Sequence, residues 1–292
     1  MIPVEIPIHH VQVDDRQIAY QSVGEGRAVV LVHGNFASKR WFSDLLAAPP
    51  AGARLLALDL PNFGDSDPLG APITIAAYAD AVRGFASALG LDRPVLVGHS
   101  LGGAVVLAAA AADPGAWSAL VLVDGSAPDG LTTPEEHYPL LDLFKGNGPM
   151  LAQALAPLLA SRQPADFDDL VADGLRMHPD AFRGNARALT GLDLAPRLGA
   201  FAGRVLVLRG GLDPLITAEM AQRTAAAFTG TARVQLETWD DVGHSPATEA
   251  PERFAARLSV LLEALRASPP ASPPASPPAS PPASPRPEEP AP

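Results

Sequence analysis

The apolar residues of this chain are concentrated in short continuous runs that are separated by longer mixed segments. An apolar run of this length, bounded by turn residues, predicts a strand that is buried in a sheet. The runs lie at residues 28–32, 54–58, 95–97, 117–123, 204–208 and 234–239. Residues 4–23 instead alternate imperfectly around Asp14 and Asp15, which predicts two further strands joined by a hairpin. The pattern therefore predicts eight strands.

Helical segments fill most of the intervals between these strands. Thr74 is placed to cap a helix that ends at Gly90, and Pro251 suits the first turn of a last helix that extends to about residue 267. Further helices are predicted at about 39–47, 101–112 and 217–228. Residues 128–200 differ, because their short amphipathic stretches are repeatedly interrupted by proline, and this composition suits a helical insertion.

One segment carries a recognisable chemical pattern, G-x-S-x-G, between a strand-like run and a helix-like run. It reads Gly98-His99-Ser100-Leu101-Gly102. The pattern calls for a serine on a tight turn from strand to helix, with its oxygen clear of the sheet. Such a turn crowds the backbone, so the residues two before and two after the serine must be small, and both are glycine here. The pentapeptide therefore predicts a nucleophilic serine.

On these residues the chain resembles the α/β-hydrolase family, and the resemblance covers most of residues 1–266. It implies an α/β fold in which an eight-stranded, mostly parallel sheet is flanked by helices. It also implies a helical cap inserted after the sixth strand. We therefore predict a core formed by residues 1–127 and 201–266, and a cap formed by residues 128–200.

The resemblance further implies a catalytic triad in the chain order serine, acid, histidine. Ser100, Asp213 and His244 follow that order, and each comes just after a predicted strand. A serine hydroxyl needs a base to take its proton, and the base needs a carboxylate that fixes its tautomer. Asp124 follows the sixth strand, which is the acid position in a minority of the family, and it stays open as an alternative to Asp213.

The strand at 28–32 ends in His-Gly-Asn-Phe at residues 33–36, which resembles the oxyanion-hole segment of the family. The implied donors are the backbone N–H groups of Asn35 and Leu101, with Phe36 as an alternative to Asn35. His-Gly-Asn also resembles a segment of haloalkane dehalogenases. Those enzymes need an aspartate nucleophile, whereas this chain has Ser100, so that subfamily is not favoured.

Other ionisable residues are interpreted as structural or exposed. They are His9, His10, His33, Asp59, Asp65, His99, His137, His178, Asp240 and Asp241. Arg183 and Arg187 lie at i, i+4 spacing and could bind a substrate carboxylate. A solvated helix face is the favoured interpretation for these two arginines, because arginine is usually exposed.

Composition narrows the range of partners. The 292 residues carry a formal net charge of −11, with a pI near 5.0, which argues against nucleic acid or an anionic membrane surface. The absence of cysteine excludes disulfides, thiolate metal sites and cysteine nucleophiles. No run reaches the ~18 apolar residues of a membrane span, and residues 1–7 lack the features of a signal peptide. We expect a cytoplasmic protein, and the sequence leaves its oligomeric state open.

These features together predict a serine hydrolase that cleaves a small-molecule carboxylic ester through an acyl-enzyme, without a cofactor or a metal. A lactonase, a hydrolase of carbon–carbon bonds, a thioesterase and a cofactor-free haloperoxidase or perhydrolase share this triad and stay open. A non-catalytic binding module is less favoured, because such relatives have usually lost a triad residue and this chain has kept all three.

The end of the chain has its own composition. Residues 267–292 consist largely of Ala-Ser-Pro-Pro repeats and contain twelve of the 32 prolines. Proline removes backbone donors and blocks both helix and sheet, which predicts an exposed polyproline-II-like or disordered tail.

Deletion of residues 268–292 is expected to leave the melting temperature and the kinetic constants unchanged, because a polyproline segment buries little apolar surface. Thermal denaturation, ester hydrolysis and size-exclusion chromatography of the truncated and full-length proteins test this. A large loss of stability or a changed oligomer size would show that the tail packs or assembles.

Overall fold

The structure is a computed structural model and describes residues 6–70 and 72–267. Within them, eight strands form one sheet in the order β1-β2-β4-β3-β5-β6-β7-β8. The strands are β1 (Ile8–Val13), β2 (Arg16–Gly24), β3 (Arg27–Val32), β4 (Ala53–Leu58), β5 (Val95–His99), β6 (Ala119–Val123), β7 (Arg204–Gly210) and β8 (Val234–Trp239). β2 pairs antiparallel with β1 and β4, and every other pairing is parallel. The predicted sheet is confirmed, whereas the tail predicted after residue 267 lies outside the described residues.

Helices connect the parallel strands, as this topology requires. In the core they are α1 (Ser43–Ala47), α2 (Ile75–Ala88), α3 (Leu101–Ala112), α9 (Ala218–Ala226), α10 (Pro246–Glu249) and α11 (Pro251–Ala267). Between β6 and β7 lie α4 (Tyr138–Leu143), α5 (Gly148–Leu155), α6 (Phe167–Leu175), α7 (Ala181–Leu189) and α8 (Ala195–Leu198). Thr74 caps α2 by accepting a hydrogen bond from the Ala77 N–H at 3.0 Å.

Alternate residues of the central strands face opposite sides of the sheet, because successive side chains on a strand point to opposite faces. In β3, Val30 and Val32 pack against α2 and α3, whereas Val29 and Leu31 pack against α1 and α11. All four side chains are fully buried. The two apolar layers therefore hold the sheet between helices, and the carboxyl ends of the parallel strands meet at one edge.

The helical segment between β6 and β7 packs over that edge. Its apolar residues join the same cluster that covers one face of the sheet, through Phe144, Leu155, Leu159, Met177, Phe182 and Leu189. Polar bonds also attach it to the core, since the Asp173 carboxylate accepts from Ser38 at 2.6 Å and from Arg40 at 3.0 Å. That residues 128–200 form a separate cap stays a prediction.

No helix among the described residues combines the length and the apolar character that are needed to span a membrane.

Candidate active site

Ser100 occupies a strained turn between β5 and α3. Its backbone dihedrals, φ 53° and ψ −116°, are costly for a residue with a side chain. The turn is possible because its neighbours lack side chains. A Cβ on Gly98 would lie 2.4 Å from the Gly102 carbonyl oxygen, and one on Gly102 would lie 2.3 Å from the Val32 carbonyl oxygen. The two glycines of the pattern therefore allow backbone segments to approach closely, as the sequence predicts.

The ends of the neighbouring strands meet the same turn. A Cβ on Gly103 would lie 2.5 Å from the Cα of Gly125, which follows β6. A Cβ on Gly34, which follows β3, would lie 3.0 Å from the Cβ of Ser100. The half-buried Ser100 side chain is thus placed between the segments that follow β3 and β6.

The predicted acid and base are in direct contact. The Nδ1–H of His244 donates to Asp213 Oδ2 at 2.7 Å, and the two side chains are almost fully buried. Glycines allow their loops to approach, since a Cβ on Gly210 would lie 1.8 Å from the Gly243 carbonyl oxygen. The Leu215 N–H donates to the other carboxylate oxygen of Asp213 at 2.7 Å. The carboxylate therefore fixes the imidazole tautomer and leaves Nε2 free to accept a proton.

Asp124 lies beside this pair rather than in its place. Both of its carboxyl oxygens accept from the Gly210 N–H, at 2.9 and 3.1 Å. Burial, and then the neighbouring Asp213, raise the pKa of Asp124 well above its usual range. Burial also favours a higher pKa for Asp213, but hydrogen bonds and the charge of His244 lower it to about 2. The two shifts have opposite directions, so ionisation is favoured at Asp213 and disfavoured at Asp124.

The same three side chains have the spacing of a metal site. Polar atoms of Asp124, Asp213 and His244 all lie within 4.8 Å of one another. The Nδ1 atom of His244, however, is already used in the bond to Asp213. The arrangement therefore matches a hydrogen-bonded carboxylate–imidazole pair with a second carboxyl group beside it.

The structure does not join all three predicted triad residues by hydrogen bonds. Among the bonds of the described residues, none links Ser100 Oγ to the His244 ring. The base is nevertheless next to the serine turn, because the ring centroids of His99 and His244 are 4.9 Å apart and His99 directly precedes Ser100. Catalytic hydrogen bonds in enzymes without substrate are often long and shorten when substrate binds.

The predicted oxyanion donors belong to residues near Ser100 in the chain or in space, since Leu101 follows it directly and Asn35 follows Gly34, on which a Cβ would lie 3.0 Å from the Ser100 Cβ. Leu101 is the first residue of α3, so its N–H has no acceptor within the helix. Asn35 follows Gly34 in a turn whose next residue, Phe36, has a φ of 53°. In the described part of the chain, no hydrogen bond uses the backbone N–H of Asn35 or of Phe36.

The two histidines nearest to the site are committed to structural bonds. His33 Nδ1 donates to the Gly34 carbonyl at 2.8 Å, and its Nε2 accepts from the Leu60 N–H at 3.0 Å. His99 Nε2 donates to the His244 carbonyl at 2.9 Å. Burial lowers the pKa of His33, and burial together with the nearby His244 lowers the pKa of His99 to about 3. Both rings therefore stay neutral.

Glu249 organises the histidine loop and was missed by the sequence argument. Its buried carboxylate accepts from the N–H groups of Gly243 at 3.0 Å and Ser245 at 2.9 Å. It also accepts from the Ser161 hydroxyl at 2.7 Å, which ties the loop to the helical segment. A glutamate five residues after a histidine carries no motif, so only the fold reveals this role.

The two arginines of α7 lie away from its buried face. Arg183 pairs with Asp142 of α4, and the exposed Arg187 lies over the Tyr138 ring with 5.3 Å to the ring centroid. The buried face of α7 is formed by Ala181, Phe182, Asn185, Ala186 and Leu189. Both arginines therefore contact a neighbouring helix of the same segment.

This chain is similar to known proteins in sequence and in fold. A sequence model of the Alpha/beta hydrolase family matches residues 29–257. The pimeloyl-[acyl-carrier protein] methyl ester esterase of Neisseria meningitidis is 30% identical over 247 residues, which cover 79% of this chain and 90% of that enzyme. A 2-hydroxy-6-oxononadienedioate/2-hydroxy-6-oxononatrienedioate hydrolase of Dechloromonas aromatica is 25% identical over 260 residues, with coverages of 82% and 88%. The solved structure of an esterase from Exiguobacterium antarcticum has the same fold, with a TM-score of 0.75, 23% identity and coverages of 87% and 98%.

Replacement of Asp124 by asparagine tests whether ionisation is favoured at Asp213 and not at Asp124. An asparagine can still accept from Gly210 and donate to Asp213, so ester hydrolysis near pH 7 is expected to stay within about threefold of the parent. Asp213→Asn is expected to reduce kcat by at least about a hundredfold, because the imidazole loses the acceptor that fixes its tautomer.

The effect of Asp124→Asn on the melting temperature is expected to depend on pH. Because the pKa of Asp124 is raised in the folded state, its contribution to stability falls as pH rises from the unfolded pKa toward the folded one. An asparagine does not titrate and removes this penalty, so the melting temperature of Asp124→Asn relative to the parent is expected to increase as the pH rises above 3.8, the ordinary pKa of the carboxyl. A difference that stays constant or decreases as the pH rises would contradict a raised pKa of Asp124.

Proposed function

This chain belongs to the α/β-hydrolase family and is a hydrolase, and on that premise we propose that it cleaves a carboxylic ester through an acyl-enzyme. In this proposal Ser100 is the nucleophile, His244 the general base and Asp213 the acid that orients it. The backbone N–H groups of Asn35 and Leu101 hold the oxyanion.

The observation that carries the proposal is the buried 2.7 Å bond from His244 to Asp213 beside a serine with φ 53°. A strained serine is retained only where the surroundings enforce it, and such positions cluster at active sites. The low pKa of Asp213, about 2, keeps its carboxylate charged to stabilise an imidazolium.

Acylation follows from these positions. Ser100 Oγ attacks the ester carbonyl carbon as His244 Nε2 removes its proton, and the carbonyl oxygen becomes an oxyanion between the two N–H donors. The tetrahedral intermediate collapses when the bond to the alkoxy oxygen breaks. The imidazolium gives its proton to that oxygen, and an alcohol leaves.

Deacylation repeats these steps with water. His244 takes a proton from the water molecule, whose oxygen attacks the acyl carbon, and the bond to Ser100 Oγ breaks as the serine regains its proton. The products are an acid and a free enzyme. Each proton removed by the base is returned to a leaving oxygen, so no further proton donor is needed.

Relatives support the ester class but also name another reaction. The Neisseria relative is named as a methyl ester esterase, and the Dechloromonas relative as a hydrolase of an oxo-dioate. A substrate of the second kind carries two carboxylates and calls for a cation at the site. Arg183 and Arg187 are instead paired or exposed on α7, and this favours an ester.

Replacement of Ser100 by alanine is expected to leave the fold intact and to lower ester hydrolysis by at least about a thousandfold, because the triad acts as a unit. Circular dichroism, p-nitrophenyl ester hydrolysis and mass spectrometry after fluorophosphonate treatment test this. Ser118→Ala is a matched control, since the Ser118 N–H donates to the Pro94 carbonyl at the opposite end of β5 and β6. Retention of more than about a tenth of the activity, ~1.4 kcal/mol in barrier, would exclude Ser100 as the nucleophile.

The acyl chain is expected to bind in an apolar pocket roofed by the helical segment. Burial of each methylene is worth about 0.8 kcal/mol, so kcat/KM on neutral p-nitrophenyl esters is expected to rise about fourfold per methylene until the pocket is full. The optimum is expected at short to medium chains.

The competing reaction is tested in the same assay. Arg183→Ala and Arg187→Ala are expected to retain ester hydrolysis, because neither arginine is required to hold a neutral ester. If all esters were inert while a diketo acid was cleaved in an arginine-dependent manner, the substrate class would be wrong and the triad would stand.

A further inference from the structure

A single polar side chain interrupts the buried face of α7. Asn185 is fully buried, whereas its neighbours on that face, Phe182, Ala186 and Leu189, are apolar. A buried amide is costly unless its oxygen and its N–H groups find partners. Asn185 has partners on both sides, and they connect the helical segment to the turn that follows β3.

A chain of hydrogen bonds passes through Asn185. The Leu69 N–H donates to Asn62 Oδ1 at 2.9 Å, and Asn62 Nδ2 donates to the Tyr78 oxygen at 2.9 Å. The Tyr78 hydroxyl donates to Asn185 Oδ1 at 2.8 Å. Asn185 Nδ2 then donates to Asn35 Oδ1 at 2.8 Å.

The bond from the Leu69 N–H to Asn62 fixes the direction of every other hydrogen bond in this series. A backbone N–H can only donate, so the atom of Asn62 that faces Leu69 must be the oxygen, and its amide nitrogen must face Tyr78. Burial raises the pKa of the Tyr78 phenol, so it keeps its one proton and gives it to Asn185. Asn185 must therefore present its N–H groups to Asn35, whose oxygen is the acceptor.

The turn that receives this bond is strained. Phe36 adopts a φ of 53°, and a side-chain-bearing residue keeps such a conformation only where its surroundings determine it. The helical segment supplies these surroundings. The Phe36 ring makes edge contacts with Phe144 and Phe182, at centroid distances of 5.6 and 5.7 Å. A Cβ on Gly174 of α6 would lie 2.7 Å from the Phe36 carbonyl oxygen.

We propose that Asn185 is a positioning residue that holds the Asn35–Phe36 turn so that its backbone N–H points at the developing oxyanion. This inference rests on the proposed function, since it concerns the same oxyanion donor. It adds that the helical segment between β6 and β7 completes the oxyanion hole instead of only enclosing the substrate.

The consequence is a loss that appears in the transition state. A donor that is displaced by a few tenths of an ångström still allows an ester to bind, but it stabilises the oxyanion less. Asn185→Leu, which keeps the side-chain size and removes the bonds to Tyr78 and Asn35, is expected to lower kcat by about ten- to a hundredfold, with KM within about threefold of the parent. The inhibition constant of a trifluoromethyl ketone with the same acyl chain is expected to rise by the same factor as kcat/KM falls.

Two milder variants guard against a folding defect. Asn35→Ala removes the half-buried acceptor at the end of this series of hydrogen bonds, and it is expected to show the same loss in kcat. Because both changes break the bond between Asn185 and Asn35, the double variant Asn35→Ala with Asn185→Leu is expected to lose less than about threefold beyond either single variant. Tyr78→Phe leaves the bond from Asn185 to Asn35 in place and is expected to lower kcat by no more than about threefold.

Asn147→Ala provides the matched control. Asn147 caps α5 in the same helical segment by accepting from the Met150 N–H at 3.2 Å, and it is not part of the hydrogen-bond chain. Loss of the cap is expected to lower the melting temperature and to leave kcat within about twofold of the parent. If Asn185 were merely structural, its variants would behave in the same way, with a lower melting temperature and an unchanged kcat.

Failure of this inference is distinguishable from failure of the proposed function. If the parent protein hydrolysed no ester, the function would be wrong, and crystal structures of the parent and of Asn185→Leu would still test the turn. A turn at residues 35–36 that stays in place in the variant would overturn the inference. Losses confined to KM, or losses that add fully in the double variant, would overturn it as well.

Discussion

The close approach of backbones around Ser100 is the constraint on which the rest of the site depends. The chain must leave β5, reverse through a residue at φ 53° and enter α3 in direct contact with the ends of β3 and β6. Gly98, Gly102 and Gly103 make this possible, because a Cβ at each would lie within 2.3–2.5 Å of backbone atoms. The same contacts place Gly34 beside the serine. One steric arrangement thus positions Ser100, the proposed nucleophile, and the turn proposed to supply the oxyanion donor.

The electrostatics of the site follow from burial. Two carboxyl groups meet in a region with little water, where two negative charges would repel strongly. Ionisation is favoured at Asp213 because it accepts from His244, whereas burial raises the pKa of Asp124, whose carboxyl accepts from Gly210. The neighbouring imidazole of His99 is a weak base, because burial and the nearby His244 lower its pKa to about 3.

Polar contacts govern how the helical segment sits on the core. Buried Lys39 bonds to Asp59 and Asp65, each at 2.7 Å, and so stabilises the loop that follows β4. Arg176 of the helical segment also binds Asp65, and the His178 N–H donates to the Asn62 carbonyl at 2.8 Å. Apolar packing alone would let the helical segment shift along the core, whereas directional hydrogen bonds hold it in one position. In that position Asn185 contacts Asn35 in the turn that follows β3.

Local sequence determined the elements and the chemistry at the strand ends. Continuous apolar runs indicated the buried strands, and glycine spacing indicated the turn at Ser100, which has a φ of 53°. These features depend on sterics between near neighbours in the chain, so they can be read from the sequence. The triad residues could be named by their order, since each follows a strand.

The tertiary structure alone decided how distant residues act together. Asp124 and Asp213 are 89 positions apart by their numbers, and only the pairing of β6 with β7 makes them neighbours whose pKa values shift in opposite directions. Glu249, Tyr78 and Asn185 belong to no motif, and their roles arise because folding brings their polar atoms to buried partners. A pKa or a hydrogen-bond direction depends on these surroundings, which no local pattern encodes.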